Sequence, residues 1–183
     1  MSDKSPIIIA IDTTEIDKGR DLLKKVQPYV SVFKVGLEFF LAHGADGVEK
    51  LRNEAPNLDL FLDLKLHDIP NTVRGAANAI ARLAPTFLTV HASGGGPMIQ
   101  SAAVALPETK ITAVTVLTSL DKGEFGHMGF SEEIAELTSS LARNAVENGA
   151  RALVCSPLEV SRLRNELGDD VALITPGVRP NEQ

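Results

Sequence analysis

The sequence predicts an α/β fold, a TIM (β/α)8-barrel in a single domain spanning residues 1–183, with about seven of the eight strands present. Three observations carry this expectation. First, apolar runs rich in Val and Ile alternate with longer amphipathic segments along the whole chain, the pattern of a parallel sheet with helices outside it. Second, the third run divides by parity: Leu60, Leu62, Leu64 and Leu66 share one face, and Asp59, Phe61, Asp63 and Lys65 share the other. Third, polar or charged residues recur where the first four strands end, at Asp12, Lys34, Asp63 with Lys65, and His91. A barrel brings such ends together at one mouth. An open doubly wound sheet also explains the alternation, but gathers four successive strand ends less readily.

The expected strands are residues 7–12, 32–36, 58–65, 87–91, 110–117, 152–155 and 171–175. Ile7, Ile9 and Ile11 share a face opposite Asp12, and Phe33 and Val35 share a face opposite Lys34. The expected helices are residues 17–27, 38–53, 70–83, 97–105, 132–148 and 157–167. Asp68 and Pro70 open the third helix, and Ser131 before Glu132 and Glu133 places a cap and two negative charges at the positive end of the fifth. Ser156-Pro157-Leu158-Glu159 is a capping box with proline at the first helical position. Gly149 marks where the fifth helix stops. A complete barrel usually takes about 250 residues, so C-terminal βα units are expected to be missing from this chain, a naturally short open sheet being the alternative.

Composition narrows the function. Hydrophobic residues make up 44% and charged residues 23%, ordinary values for a folded chain. No apolar run reaches the roughly 20 residues of a membrane span. The polar start Met1–Pro6 and the short run that follows it do not make a signal peptide, so a cytoplasmic location is expected, with no membrane partner. The net charge of −6, scattered basic residues, one Tyr and no Trp argue against a nucleic acid polymer as partner. A single cysteine, Cys155, rules out an internal disulfide and a cysteine metal cluster, and reads as a buried strand residue.

The chemistry centres on Asp63-Leu64-Lys65-Leu66-His67-Asp68, of the form D-x-K-x-x-D. Asp63 and Lys65 point into one cavity, Asp68 begins the next loop, and Lys34 approaches from the neighbouring strand. The expected array alternates in charge, Lys34, Asp63, Lys65, Asp68, which lowers the cost of holding four charges in a poorly hydrated pocket. It keeps Lys65 protonated and able to act as a general acid. A structural ion-pair network is the plainer alternative, and the position at a barrel mouth beside Asp12 and His91 favours catalysis.

The segment Asp63-Leu64-Lys65-Leu66-His67-Asp68-Ile69-Pro70-Asn71-Thr72 resembles the signature of the orotidine 5′-monophosphate decarboxylases. Supporting segments are similar in order and spacing: Ala10-Ile11-Asp12, Phe33-Lys34-Val35-Gly36, Val90-His91-Ala92, Leu117-Thr118-Ser119 and Thr175-Pro176-Gly177-Val178-Arg179-Pro180. The resemblance implies conversion of orotidine monophosphate to uridine monophosphate and carbon dioxide in pyrimidine biosynthesis, with no metal and no organic cofactor. It implies that Lys65 donates the proton to C6 of the pyrimidine, that Asp63 presses its charge on the substrate carboxylate, and that Lys34 and Lys65 hold the charge network. Asp12 and Lys34 would contact the ribose hydroxyls and Ser119 the base. Asp68 and Thr72 would reach the neighbouring subunit's site, making the active unit a homodimer with shared sites. His91, Thr118, Pro176, Gly177 and Arg179 complete the candidate substrate-binding set.

The family's final phosphate-gripping Gly-Arg, after the eighth strand, is absent, and Arg179 matches a different family position. Gln183 is not assigned the role of the family's mobile-loop glutamine. Two rival functions remain. One is a magnesium-dependent sugar-phosphate decarboxylase or aldolase of the same superfamily, whose second strand carries an acidic residue where this chain has Lys34. The other is an inactive nucleotide-binding fragment. Gly94-Gly95-Gly96 matches no phosphate-binding fingerprint and reads as a flexible loop. His43 and His127 read as surface residues, and residues 121–130 as a long glycine-containing loop, either a mobile element over the pocket or a connection.

Overall fold

The computed structural model describes residues 5–117, 122–127, 129 and 133–177. Seven strands form one parallel sheet in sequential order: β1 (Ser5–Ile11), β2 (Val30–Gly36), β3 (Asp59–Leu66), β4 (Phe87–His91), β5 (Lys110–Val114), β6 (Ala152–Val154) and β7 (Ala172–Ile174). Among the described residues the strand order never reverses. A doubly wound sheet requires a reversal, so the structure decides for the barrel. Among the described residues β1 and β7 are the two edges. Residues from both line one cavity, which shows how far the sheet curls.

The helices are α1 (Ile16–Val26), α2 (Leu37–Glu54), α3 (Pro70–Ile80), α4 (Gly96–Ala105), α5 (Lys122–His127), α6 (Ile134–Glu147) and α7 (Val160–Leu167). The expected parity holds. Phe33, Val35, Leu60, Leu62, Leu88 and Val90 are fully buried in the core with Leu23, Leu51, Ala77, Met98 and Leu163 of the helices. Burying each such large aliphatic side chain contributes about 1.5–3 kcal/mol. The opposite face of the same strands carries Lys34, Phe61, Asp63 and Lys65 to the barrel interior.

Local signals are mostly realised. The capping box at Ser156 and Glu159 is complete, heading a 3-10 turn (Pro157–Glu159) that leads into α7. Pro70 occupies the first turn of α3, but Ile69 is the N-cap and no side chain caps the helix. Asp68 instead accepts the Ile69 N–H through its Oδ1 at 2.6 Å. Helix α6 starts at Ile134 with Glu133 as N-cap, later than the expected residue 132, and the Ser131 cap lies outside the described residues. Gly149 follows its end with φ of 98°, a left-handed conformation that glycine adopts without a Cβ clash.

Three expectations are corrected. Residues 121–130 are not all loop: α5 forms within them, and Phe125 is buried. Gly94-Gly95-Gly96 is a packed turn. A Cβ on Gly94 would lie 2.2 Å from Met98 Sδ, and one on Gly96 2.6 Å from the Asn148 amide. Close approach, not mobility, accounts for these two glycines. His43 is half-buried: its ring lies 4.8 Å from that of Phe39, and its Nε2 is hydrogen-bonded to the Thr14 carbonyl, tying α2 to the loop before α1.

Candidate active site

A cavity of about 790 Å³ runs along the inner face of the sheet, from Pro6, Ile7 and Ile8 at the start of β1 to Asp12, Asp63 and Lys65 towards the C-terminal ends of the strands. Asp12, Lys34, Asp63 and Lys65 give it charge on one side, and Val114, Val154 and Ile174 line it with apolar surface. The volume lies within the roughly 300–1,000 Å³ typical of small-molecule sites, and an apolar lining with a few convergent polar groups is their usual character.

Asp63 is the hub. Lys65 Nζ donates to Asp63 Oδ1 at 2.8 Å, and Lys34 Nζ lies 3.2 Å from Oδ2. The Asp63 side chain is 14% exposed, against 23% for Lys34 and 39% for Lys65, so the carboxylate is the most enclosed charge of the three. Burial by itself would push its carboxyl up. Hydrogen bonding from Lys65, the charge of Lys34 and the charge of Lys65 together outweigh that and hold it below the usual carboxylate range. Asp63 is therefore ionised at neutral pH.

The strand reaches this geometry through an irregularity. Leu62 pairs with Leu88, but the next registered pair is Leu66 with Val90, so four residues of β3 are matched by two of β4. Lys65 has φ of 49°, a conformation uncommon outside glycine and worth about 1–3 kcal/mol of strain. Bulges of this kind re-aim side chains beside active sites. The Lys65 N–H donates to Thr89 Oγ1 at 2.9 Å, and the same hydroxyl donates to Asp63 Oδ1 at 3.0 Å. Thr89 was not among the expected site residues, although Phe87, Thr89 and His91 share one parity of β4.

Of the expected array the structure joins Lys34, Asp63 and Lys65. Asp68 stands apart, exposed and bonded to its own loop, because β3 ends at Leu66 and the chain turns outward before α3. Thr72 is exposed on the first turn of α3. Asp12, Pro176 and Gly177 line the cavity. His91 does not line it: its half-buried ring packs against His67 at 5.1 Å. Burial, with the nearby His67 and Lys65 charges, lowers its pKa against the opposing pull of Asp63. Thr118, Ser119 and Arg179 lie outside the described residues. Cys155 is buried as expected and also reaches the cavity wall. Burial, reinforced by Glu159, pushes its thiol up to about 11, which keeps it protonated and unreactive at neutral pH.

The model of the orotidine 5′-phosphate decarboxylase / HUMPS family matches residues 5–183. The chain is 53% identical over 176 residues to the orotidine 5′-phosphate decarboxylase of Thermobifida fusca, covering 96% of this chain and 75% of that protein. It is 41% identical to the enzyme of the same name from Paramagnetospirillum magneticum, covering 96% of this chain and 78% of that protein. Among solved structures, orotidine 5′-phosphate decarboxylase from Lactobacillus acidophilus superposes with a TM-score of 0.87 at 40% identity, covering 96% of this chain and 82% of that one. An uncharacterized conserved protein from Geobacillus kaustophilus superposes with a TM-score of 0.85 at 31% identity, covering 93% and 83%.

Proposed function

The chain belongs to the orotidine 5′-phosphate decarboxylase / HUMPS family, and from that premise we propose how its residues carry the reaction. The activity is decarboxylation of orotidine 5′-monophosphate to uridine 5′-monophosphate, a carboxy-lyase reaction. One observation carries the assignment of roles: the enclosed Asp63 carboxylate is held between two lysines on the cavity wall.

In this reading the substrate's carboxylate lies against Asp63. The repulsion between the two carboxylates is relieved as carbon dioxide departs. The ammonium of Lys65 stands where negative charge develops at C6, stabilises charge that grows only towards the transition state, and then delivers its proton to that carbon. Lys34 keeps Asp63 ionised and in place, and with Asp12 it holds the ribose hydroxyls. Pro176, Gly177 and Arg179 border the base and phosphate, and Thr118 and Ser119 contact the base. His91, packed against His67, belongs to the substrate-binding set. Asp68 and Thr72 serve the neighbouring subunit's site in a homodimer, which fits their exposure away from the three-residue cluster. The setting is cytoplasmic pyrimidine biosynthesis.

The magnesium-dependent sugar-phosphate reading needs an acidic group on the second strand. Lys34 occupies that position with its Nζ 3.2 Å from Asp63 Oδ2, and a cation there is unfavourable to a divalent metal ion. The deciding assay follows conversion of orotidine monophosphate by absorbance and by carbon dioxide release, with a sugar phosphate plus magnesium in parallel. Turnover of the nucleotide alone is expected. Turnover of the sugar phosphate alone would transfer the chain to the other branch.

A further inference from the structure

Thr89 lies inside the barrel wall, fully buried, and is not among the residues lining the cavity. Its hydroxyl has two partners. It accepts the Lys65 backbone N–H at 2.9 Å and donates to Asp63 Oδ1 at 3.0 Å. Asp63 Oδ1 is the same oxygen that receives Lys65 Nζ at 2.8 Å. One hydroxyl thus closes a ring through the backbone of Lys65, its ammonium and the Asp63 carboxylate. The ring sits at the point where the β3–β4 register slips and Lys65 adopts its positive φ. A strained residue persists only where its surroundings over-determine it, and the Thr89 hydroxyl is the buried side-chain contact made to the strained peptide itself.

We propose that Thr89 is a positioning residue for the decarboxylation: its hydroxyl sets the Lys65 backbone and the Asp63 carboxylate in one arrangement, so that the ammonium and the carboxylate face the reacting carbon together. This rests on the decarboxylase reading above. A valine is nearly the same shape but can neither accept the Lys65 N–H nor donate to Asp63. It leaves a buried N–H without this acceptor, and Lys65 is then free to relax toward extended backbone. Displacing a reacting group by about 1 Å can cost about 10²-fold in rate. Substrate binding depends chiefly on contacts elsewhere in the cavity, so the loss belongs in kcat and not in KM.

The test uses the full-length protein with Thr89→Val, Thr89→Ala and Thr89→Ser. Val and Ala variants are expected to lose kcat by about tenfold or more with KM within about threefold, while Ser, which keeps the hydroxyl, stays within about threefold of wild type on both. A Val variant with wild-type kcat overturns the proposal, as does a Ser variant as slow as Ala. If the Val variant does not fold, the Ser and Ala comparison decides by itself. If wild type itself does not turn over the nucleotide, the decarboxylase reading has failed separately. The positioning claim is then settled by crystal structures of wild type and Thr89→Ala: Lys65 still at positive φ with its Nζ on Asp63 in the variant overturns it, and a relaxed Lys65 supports it.

Discussion

Lys65 Nζ lies 2.8 Å from Asp63 Oδ1, although the two residues are separated on their strand by one leucine and by a break in register. Two side chains of the same parity meet because the bulge turns Lys65 back towards its neighbour. If Lys65 is the proton donor, Lys65→Ala abolishes turnover by at least about 10²-fold, the usual worth of a positioned general acid, and leaves the fold intact, since the side chain is 39% exposed. Steady-state turnover with circular dichroism checks it. Activity within about tenfold of wild type would remove Lys65 from the role.

His91 is the residue whose titration should be visible in stability. Its ring packs against His67, the charges of Lys65 and Asp63 act on it in opposite directions, and burial leads the effects that lower its pKa. The unfolded chain therefore binds a proton at a pH where the folded chain does not, so stability is present above the ordinary histidine value near 6.5 and is lost as pH falls through the folded value. The Asp63 carboxyl is likewise lowered, which moves it further below this window, and it stays ionised across it. Urea unfolding at about pH 7.5 and pH 5.5 should show a smaller difference for His91→Gln than for wild type. An unchanged difference means that His91 is not held neutral by its surroundings.

Lys34 predicts indifference to metal chelation. Its ammonium donates to the carboxylate that a divalent cation would otherwise claim, 3.2 Å away. Assays after exhaustive treatment with EDTA should match untreated enzyme. Loss of activity restored by magnesium would favour the sugar-phosphate branch.

The position of Asp68 predicts complementation between subunits. Its carboxylate is exposed and bonded to its own loop, outside the cluster formed by Lys34, Asp63 and Lys65. If it serves a neighbouring site, mixing inactive Lys65→Ala with inactive Asp68→Ala restores activity, because one hybrid site carries both lesions and the other carries neither. Mass spectrometry establishes exchange, and exchange without recovery would count against shared sites.

The sheet and the Lys34–Asp63–Lys65 cluster were legible because both follow from period-two alternation read along single strands. Leucines at positions 60, 62 and 64 define the helix-facing side, and the inward side follows directly. What lay beyond reach depends on relations between strands. The β3–β4 slip is a property of two strands at once, so neither the positive φ of Lys65 nor the bridging of Thr89 is written in either segment alone. The place of Asp68 within one chain is a related case: the spacing D-x-K-x-x-D says nothing about where the strand lets go, and the chain turns after Leu66, which leaves Asp68 outside the cluster. The packing of the glycine run is not written in its own segment either, because its cause, the Met98 and Asn148 side chains, is supplied by α4 and by the C-cap of α6.

Those glycines give the last prediction, a contrast between two alanine substitutions. At Gly94 an added Cβ meets the thioether of Met98, a fully buried side chain that must shift to make room. Overpacking of this kind costs about 1–3 kcal/mol. At Gly75, inside α3, an added Cβ meets nothing within 4 Å, and the helix gains a better former, worth about 0.5–1 kcal/mol. Gly94→Ala should therefore lower the urea midpoint and Gly75→Ala should raise it, with m-values unchanged. A shorter side chain at position 98 should restore part of what Gly94→Ala loses, which ties the effect to the Met98 contact and not to backbone conformation. Equal and unaltered midpoints for both variants would mean that the turn yields to an added methyl, and that the glycines are there for the freedom of the chain after all.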